Sequence, residues 1–127
     1  MCDTARIKEE SLSRALRSRS KTQPPPAWAI YEALSDPLAG QARREWLHLH
    51  DGEVPPRVLR AVPRSLVIWA SLWPDRPDDE IRLDIGDGRL TWTLMGEAAE
   101  QDEERLDQLR YRLDVIINTD LRHSFGQ

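Results

Sequence analysis

The stretch "EIRLDIGDGRLTWTL", Glu80 to Leu94, constrains the fold of this chain more than any other. Ile81, Leu83 and Ile85 alternate with Arg82 and Asp84, and Leu90, Trp92 and Leu94 alternate with Arg89, Thr91 and Thr93. That period belongs to strands with one buried face. Asp87-Gly88 between the two runs supplies the positive φ angles of a tight hairpin turn. Such a hairpin needs a layer over its apolar side, because a two-stranded ribbon alone is marginally stable in water.

The chain ends in a candidate for that layer. A single helix is expected from about Asp102 to Ser124. It begins in "EQDEE", which suits the positive end of a helix dipole, and Gly126 can cap its end. With Leu106 at zero on a helical projection, Leu113 lies near about −20°, Ile117 near about +20° and Leu109 near about −60°. Asp120 falls near about −40°, inside the apolar arc, and Arg110 near about +40°, on its shoulder. The two are roughly 15 Å apart along the axis, too far to pair with each other. An unpaired buried charge is costly, so each needs a partner, solvent or a cavity. Solvent or a strand arginine would serve Asp120. Snorkelling, or Asp114 one turn on, would serve Arg110.

Upstream the pattern is more mixed. Residues 1–10 read as a disordered lead-in. "SLSRALRSRSKTQ", Ser11 to Gln23, fits an edge strand or a short helix, with a lean to strand. "PPPAWAIYEALSDP" places Trp28, Ile30, Tyr31 and Leu34 near helical spacing after prolines and before the stop at Asp36-Pro37. "REWLHLH" alternates and leads into Asp51-Gly52, a second tight-turn signal. "EVPPRVLRAV" follows as a strand whose start Pro55 and Pro56 confine to an edge or a bulge. Pro63-Arg64 makes a turn, and "SLVIWASLW" is apolar on both faces, as a central strand would be.

The 127 residues suit one domain. A net charge of −4 provides no global positive field for nucleic acid or anionic lipid. The basic run Arg14, Arg17, Arg19 and Lys21 lacks interleaved aromatics, so no nucleic acid is expected as a partner. No apolar stretch approaches the roughly 20 residues of a membrane span, and the N-terminus is too polar for a secretory signal. A cytoplasmic location and no membrane partner are the expectation. The single cysteine, Cys2, excludes an internal disulfide and a cysteine-based zinc site.

Chemistry-bearing patterns are sparse. His48 and His50 share a strand face with Trp46, but a bare His-x-His without an acidic or cysteine partner is a weak metal signal. They read rather as solvent-facing or pocket-edge histidines. His123 near the helix end reads as a dipole partner. "PDRPDDE" lacks the ligand register of a calcium loop. The five tryptophans, Trp28, Trp46, Trp69, Trp73 and Trp92, suit core packing, or a pocket for ring-shaped ligands. There is no nucleophile motif, no glycine-rich phosphate loop and no close carboxylate pair with an obvious role. No cofactor and no metal are expected.

The segments "PPAWAIYEALSDP", "VLRAVPRSLVIWASLWP", "GRLTWTLMG" and the closing "LRYRLDVIINTDLRHSFGQ" together resemble the SRPBCC superfamily, the START-like and birch-pollen-allergen-like helix-grip proteins. The closing segment is similar to an uncharacterised actinobacterial subset of it. The resemblance covers Ser11 to Gln127, taken as a single domain. It implies an α+β helix-grip fold, a curved antiparallel sheet of about six strands wrapped on a long C-terminal helix. In that fold the helix face lines a cavity. The expected ligand-binding residues are therefore Trp69, Trp92, Leu94, Leu113 and Ile117 as apolar walls, with Asp120, Arg110 and His48 as polar groups. The resemblance implies a domain that binds a small hydrophobic or aromatic molecule, as monomer or homodimer. A polyketide cyclase or aromatase-like enzyme using Asp120, Arg110 or His48 is the first alternative. A protein-interaction module is the second. Family membership of this kind leaves the activity open, since one fold hosts many functions.

Overall fold

A computed structural model describes residues 14–37, 47–86, 88–97 and 102–122. Five strands form one antiparallel sheet: β1 (Arg14–Thr22), β2 (Val58–Val62), β3 (Leu66–Ala70), β4 (Glu80–Gly86) and β5 (Arg89–Gly96), in the order β1-β5-β4-β3-β2. Helix α1 (Ala27–Ser35) follows β1, and helix α2 (Glu103–Val115) follows β5 and runs on into a π-helical turn, Ile116–Leu121. The architecture is thus α+β, with an antiparallel sheet and a C-terminal helix. The ambiguous segment after residue 10 is a strand from Arg14.

The β4–β5 hairpin forms where the alternation put it. Gly86 pairs with Arg89, and Gly88 takes a φ of 67°. Asp87, the other residue of that turn, lies outside the described residues. β2 and β3 turn at Pro63-Arg64, where Ser65 N–H donates to the Val62 carbonyl at 3.0 Å and Arg64 itself takes a φ of 61°.

Among the described residues there are five strands where about six were expected. The difference falls at "REWLHLH". Residues 44–46, Trp46 included, lie outside the described part, and Leu47–His50 makes no ladder. Side chains take its backbone groups instead. Arg112 donates to the His48 carbonyl at 2.6 Å, and His50 N–H donates to Glu53 Oε1 at 2.7 Å. Asp51-Gly52 still turns the chain, with Gly52 at a φ of 87° and Glu53 N–H bonded to the His50 carbonyl.

The alternating residues meet the helices. Val67 and Trp69 of β3, Ile81, Leu83 and Ile85 of β4, and Leu90, Trp92 and Leu94 of β5 form one buried face. Leu106, Leu109 and Leu113 of α2 close on it, joined by Ile116, Ile117 and Leu121 of the π turn and by Ile30 and Leu34 of α1. Asp102 caps α2, its carboxylate accepting from Glu104 N–H at 3.1 Å and Arg105 N–H at 3.3 Å. Among the described residues no helix is long and apolar enough to cross a membrane.

Candidate functional site

The edge strand β1 pairs Arg17 with Leu94 and Arg19 with Trp92, so both arginines lie on the helix side of the sheet. They reach acidic residues on the near flank of α2. Arg17 bonds Glu103 at 3.1 Å, and Arg19 bonds Asp114 at 3.1 Å. Asp114 also accepts from the Trp92 indole at 3.0 Å and from Asn118 Nδ2 at 3.0 Å. A carboxylate can only accept, so it draws the amide nitrogen of Asn118 and turns its oxygen toward Gln23. Gln23 Nε2 donates to that oxygen at 3.3 Å. The fully buried Gln23 is left with Oε1 unpartnered.

The opposite flank of α2 is built differently. There the loop from Leu47 to Glu53 packs against the helix, and Arg112 meets Glu53 through two hydrogen bonds, of 2.9 and 2.8 Å. The Arg112 and Glu53 side chains are 9% and 7% exposed. The Trp73 indole completes the cluster by donating to Glu53 Oε2 at 3.0 Å. Burial pushes the Glu53 carboxyl up, but hydrogen bonds from Arg112, the His50 backbone and Trp73, together with the Arg112 charge, outweigh it. They hold it at about 2, from an ordinary 4.5. Glu53 therefore stays ionised near neutral pH and has no proton to give. Its role is to fix the loop.

Between this loop, the turn at Asp75 and the helix lies an open groove of about 610 Å³. Trp73, Leu109, Tyr111 and Val115 supply apolar wall, and His50, Gln108 and Arg105 supply polar groups. Arg105 holds Asp75 through two bonds, Nε at 3.1 Å and Nη2 at 3.0 Å, while its Nη1 donates to Gln108 Oε1 at 3.3 Å. The Arg105 hydrogen bonds keep the Asp75 carboxyl below its usual range. Tyr111 is 72% exposed, an aromatic ring standing free at the groove.

None of the eight residues expected to bind ligand lines this groove. Trp69, Trp92, Leu94, Leu113 and Ile117 are fully buried and pack against one another between sheet and helix. Of the three buried indoles among the described residues, two are tied to helices, Trp69 to the Leu34 carbonyl at 2.8 Å and Trp92 to Asp114. Arg110 is exposed on α2, and His48 is exposed on its loop. Asp120 is half-buried at the end of the π turn. A π turn rotates the chain less per residue than an α turn, because each hydrogen bond spans one more residue. It carries Leu121 onto the core and Asp120 to the margin, so the charge does not sit in the apolar stripe.

Among the groove residues that sequence reasoning passed over is Arg112. It lies roughly 120° from Leu106 on the helical projection, on what looked like the solvent side. It is buried because the loop supplying Glu53 covers that side. No local signal in "LRYRLDV" announces this. Compared with family models, curated proteins and solved structures, the chain matches none of them. The site's reading rests on its own geometry. Among the described residues no group of three His, Cys, Asp or Glu side chains could hold a metal ion. His123 lies outside the described residues.

Proposed function

We propose that this chain is a small-molecule-binding domain of the helix-grip kind, and that a hydrophobic or aromatic ligand lies in the groove along α2. The observation that carries the reading is the groove itself: largely apolar in its walls, bounded by a few convergent polar groups, and rimmed by the exposed Tyr111 ring. The helix–sheet interior offers a ligand less, because its large side chains fill it at essentially zero exposure. The ionised, fully bonded Glu53 supports binding over proton transfer.

Tryptophan fluorescence and two-dimensional NMR against naphthalene derivatives, flavonoids and fatty acids test the proposal. Quenching of Trp73 with amide shifts confined to 50–53, 73–75 and 105–115 is the expected result. Tyr111→Ser should weaken the response without changing the fold. Shifts in the interior around Trp69 and Leu94, or no response to the panel, would overturn it.

A further inference from the structure

We infer that the groove takes an aromatic carboxylate, whose carboxylate replaces Asp75 on Arg105 and whose rings lie along α2 toward Tyr111 and Val115. The inference rests on the groove being the ligand site, and it adds the ligand's charge and orientation.

Two arginines line the groove, and their partners differ in kind. Arg112 is sealed with Glu53 in the interior and bonded to the His48 carbonyl besides. Arg105 is partly exposed, and its partner Asp75 is 56% exposed. A pair of the second kind is screened by water and contributes little, so another carboxylate exchanges into it at small cost. The geometry of the exchange is already drawn. Nε and Nη2 of Arg105 grip the two oxygens of Asp75 in the fork arrangement that guanidinium makes with any carboxylate. Gln108 holds the third nitrogen and so fixes the plane of the fork.

The rest of the groove fits the remainder of such a ligand. Arg105, Gln108, Tyr111 and Val115 fall on one side of α2. Tyr111 lies six residues beyond Arg105, roughly 9 Å along the axis, the reach of a two-ring acid. Its exposed ring offers a stacking face. The acids in the groove do not oppose an anion strongly. Arg112 cancels Glu53, Asp75 is the group displaced, and Asp51 is solvent-exposed and screened.

Calorimetric titration with 2-naphthoate and with the neutral 2-naphthalenemethanol tests this on the full chain and on Arg105→Met and Asp75→Asn. The acid should bind about two- to fivefold more tightly than the alcohol, the worth of an exposed carboxylate–arginine pair. Arg105→Met should abolish the difference by weakening the acid far more than the alcohol. Asp75→Asn should tighten naphthoate about threefold or more by removing the internal competitor, whereas a purely structural Asp75 would leave binding unchanged or weaker. Equal binding of acid and alcohol by the unaltered chain would overturn the inference while the groove reading stands. Unchanged or weaker naphthoate binding by Asp75→Asn would also overturn it. Binding of neither compound to any of the three proteins would overturn both.

Discussion

Arg112 Nη2 and Nε lie 2.8 and 2.9 Å from the two carboxylate oxygens of Glu53, with both side chains more than nine-tenths buried. The pair joins residues 59 positions apart and ties the loop before β2 to the last turn of α2. Removing one partner leaves the other charge buried and unpaired. Arg112→Met or Glu53→Leu alone should each cost about 3–5 kcal/mol in urea unfolding. The double variant should recover much of that loss. A double variant as unstable as the sum of the singles would show that the pair is not acting as a unit.

The same pair sets the behaviour of the domain in acid. Glu53 titrates at about 2 when folded and at its ordinary 4.5 when unfolded. A depressed carboxylate contributes stability that is complete above about 4.5 and lost as pH falls through about 2. The contribution is on the order of 3 kcal/mol at neutral pH. Urea midpoints measured from pH 7 down to 2 should fall through this window. Glu53→Gln should flatten the fall, and an unaltered slope in that variant would contradict the assignment.

On the other flank, Asp114 accepts from Trp92, Asn118 and Arg19. Asp114→Ala strands the indole N–H of a fully buried tryptophan, which should cost about 1–3 kcal/mol. Trp92→Phe made in addition removes the stranded donor. The double variant should then be less unstable than the two single losses added together, as read from thermal melts.

Gly96 ends β5 against the Asp79 side chain. A Cβ added there would come within 2.6 Å of Asp79 Oδ1 and 2.8 Å of Leu16 Cδ1. Asp79 is buried and bonded to Arg76, so it has little freedom to move aside. Gly96→Ala should destabilise by about 1–3 kcal/mol through overpacking. Gly86→Ala is the control, since its nearest neighbour would stand 3.7 Å away and it should stay within about 0.5 kcal/mol of the parent. Equal melting temperatures for the two variants would count against the close approach at Gly96.

Much of the scaffold was legible along the chain because its causes are local. Alternation at Ile81–Ile85 and Leu90–Leu94 marks a buried face by itself, and Gly88 supplies a turn that few other residues enter. Asp102 ahead of Glu103 and Glu104 caps α2 through atoms only two or three residues away. The leucine stripe of α2 needs nothing more than helical period, and Leu106, Leu109 and Leu113 are buried along it.

Tertiary structure alone decided the rest. In the described part of the strand expected at "REWLHLH", Leu47–His50, Arg112 takes the His48 carbonyl and Glu53 the His50 N–H, and no ladder forms. Arg112, polar by its place on the helix, is buried because a loop distant in sequence folds over it. Asp120 leaves the apolar stripe because the helix widens into a π turn after Val115. The groove exists only where loop, turn and helix meet, so no one segment carries its outline. A periodic pattern records which face of an element avoids water. It does not record which distant residues will arrive to cover the other face, and here they brought the paired charges and the open ring of Tyr111.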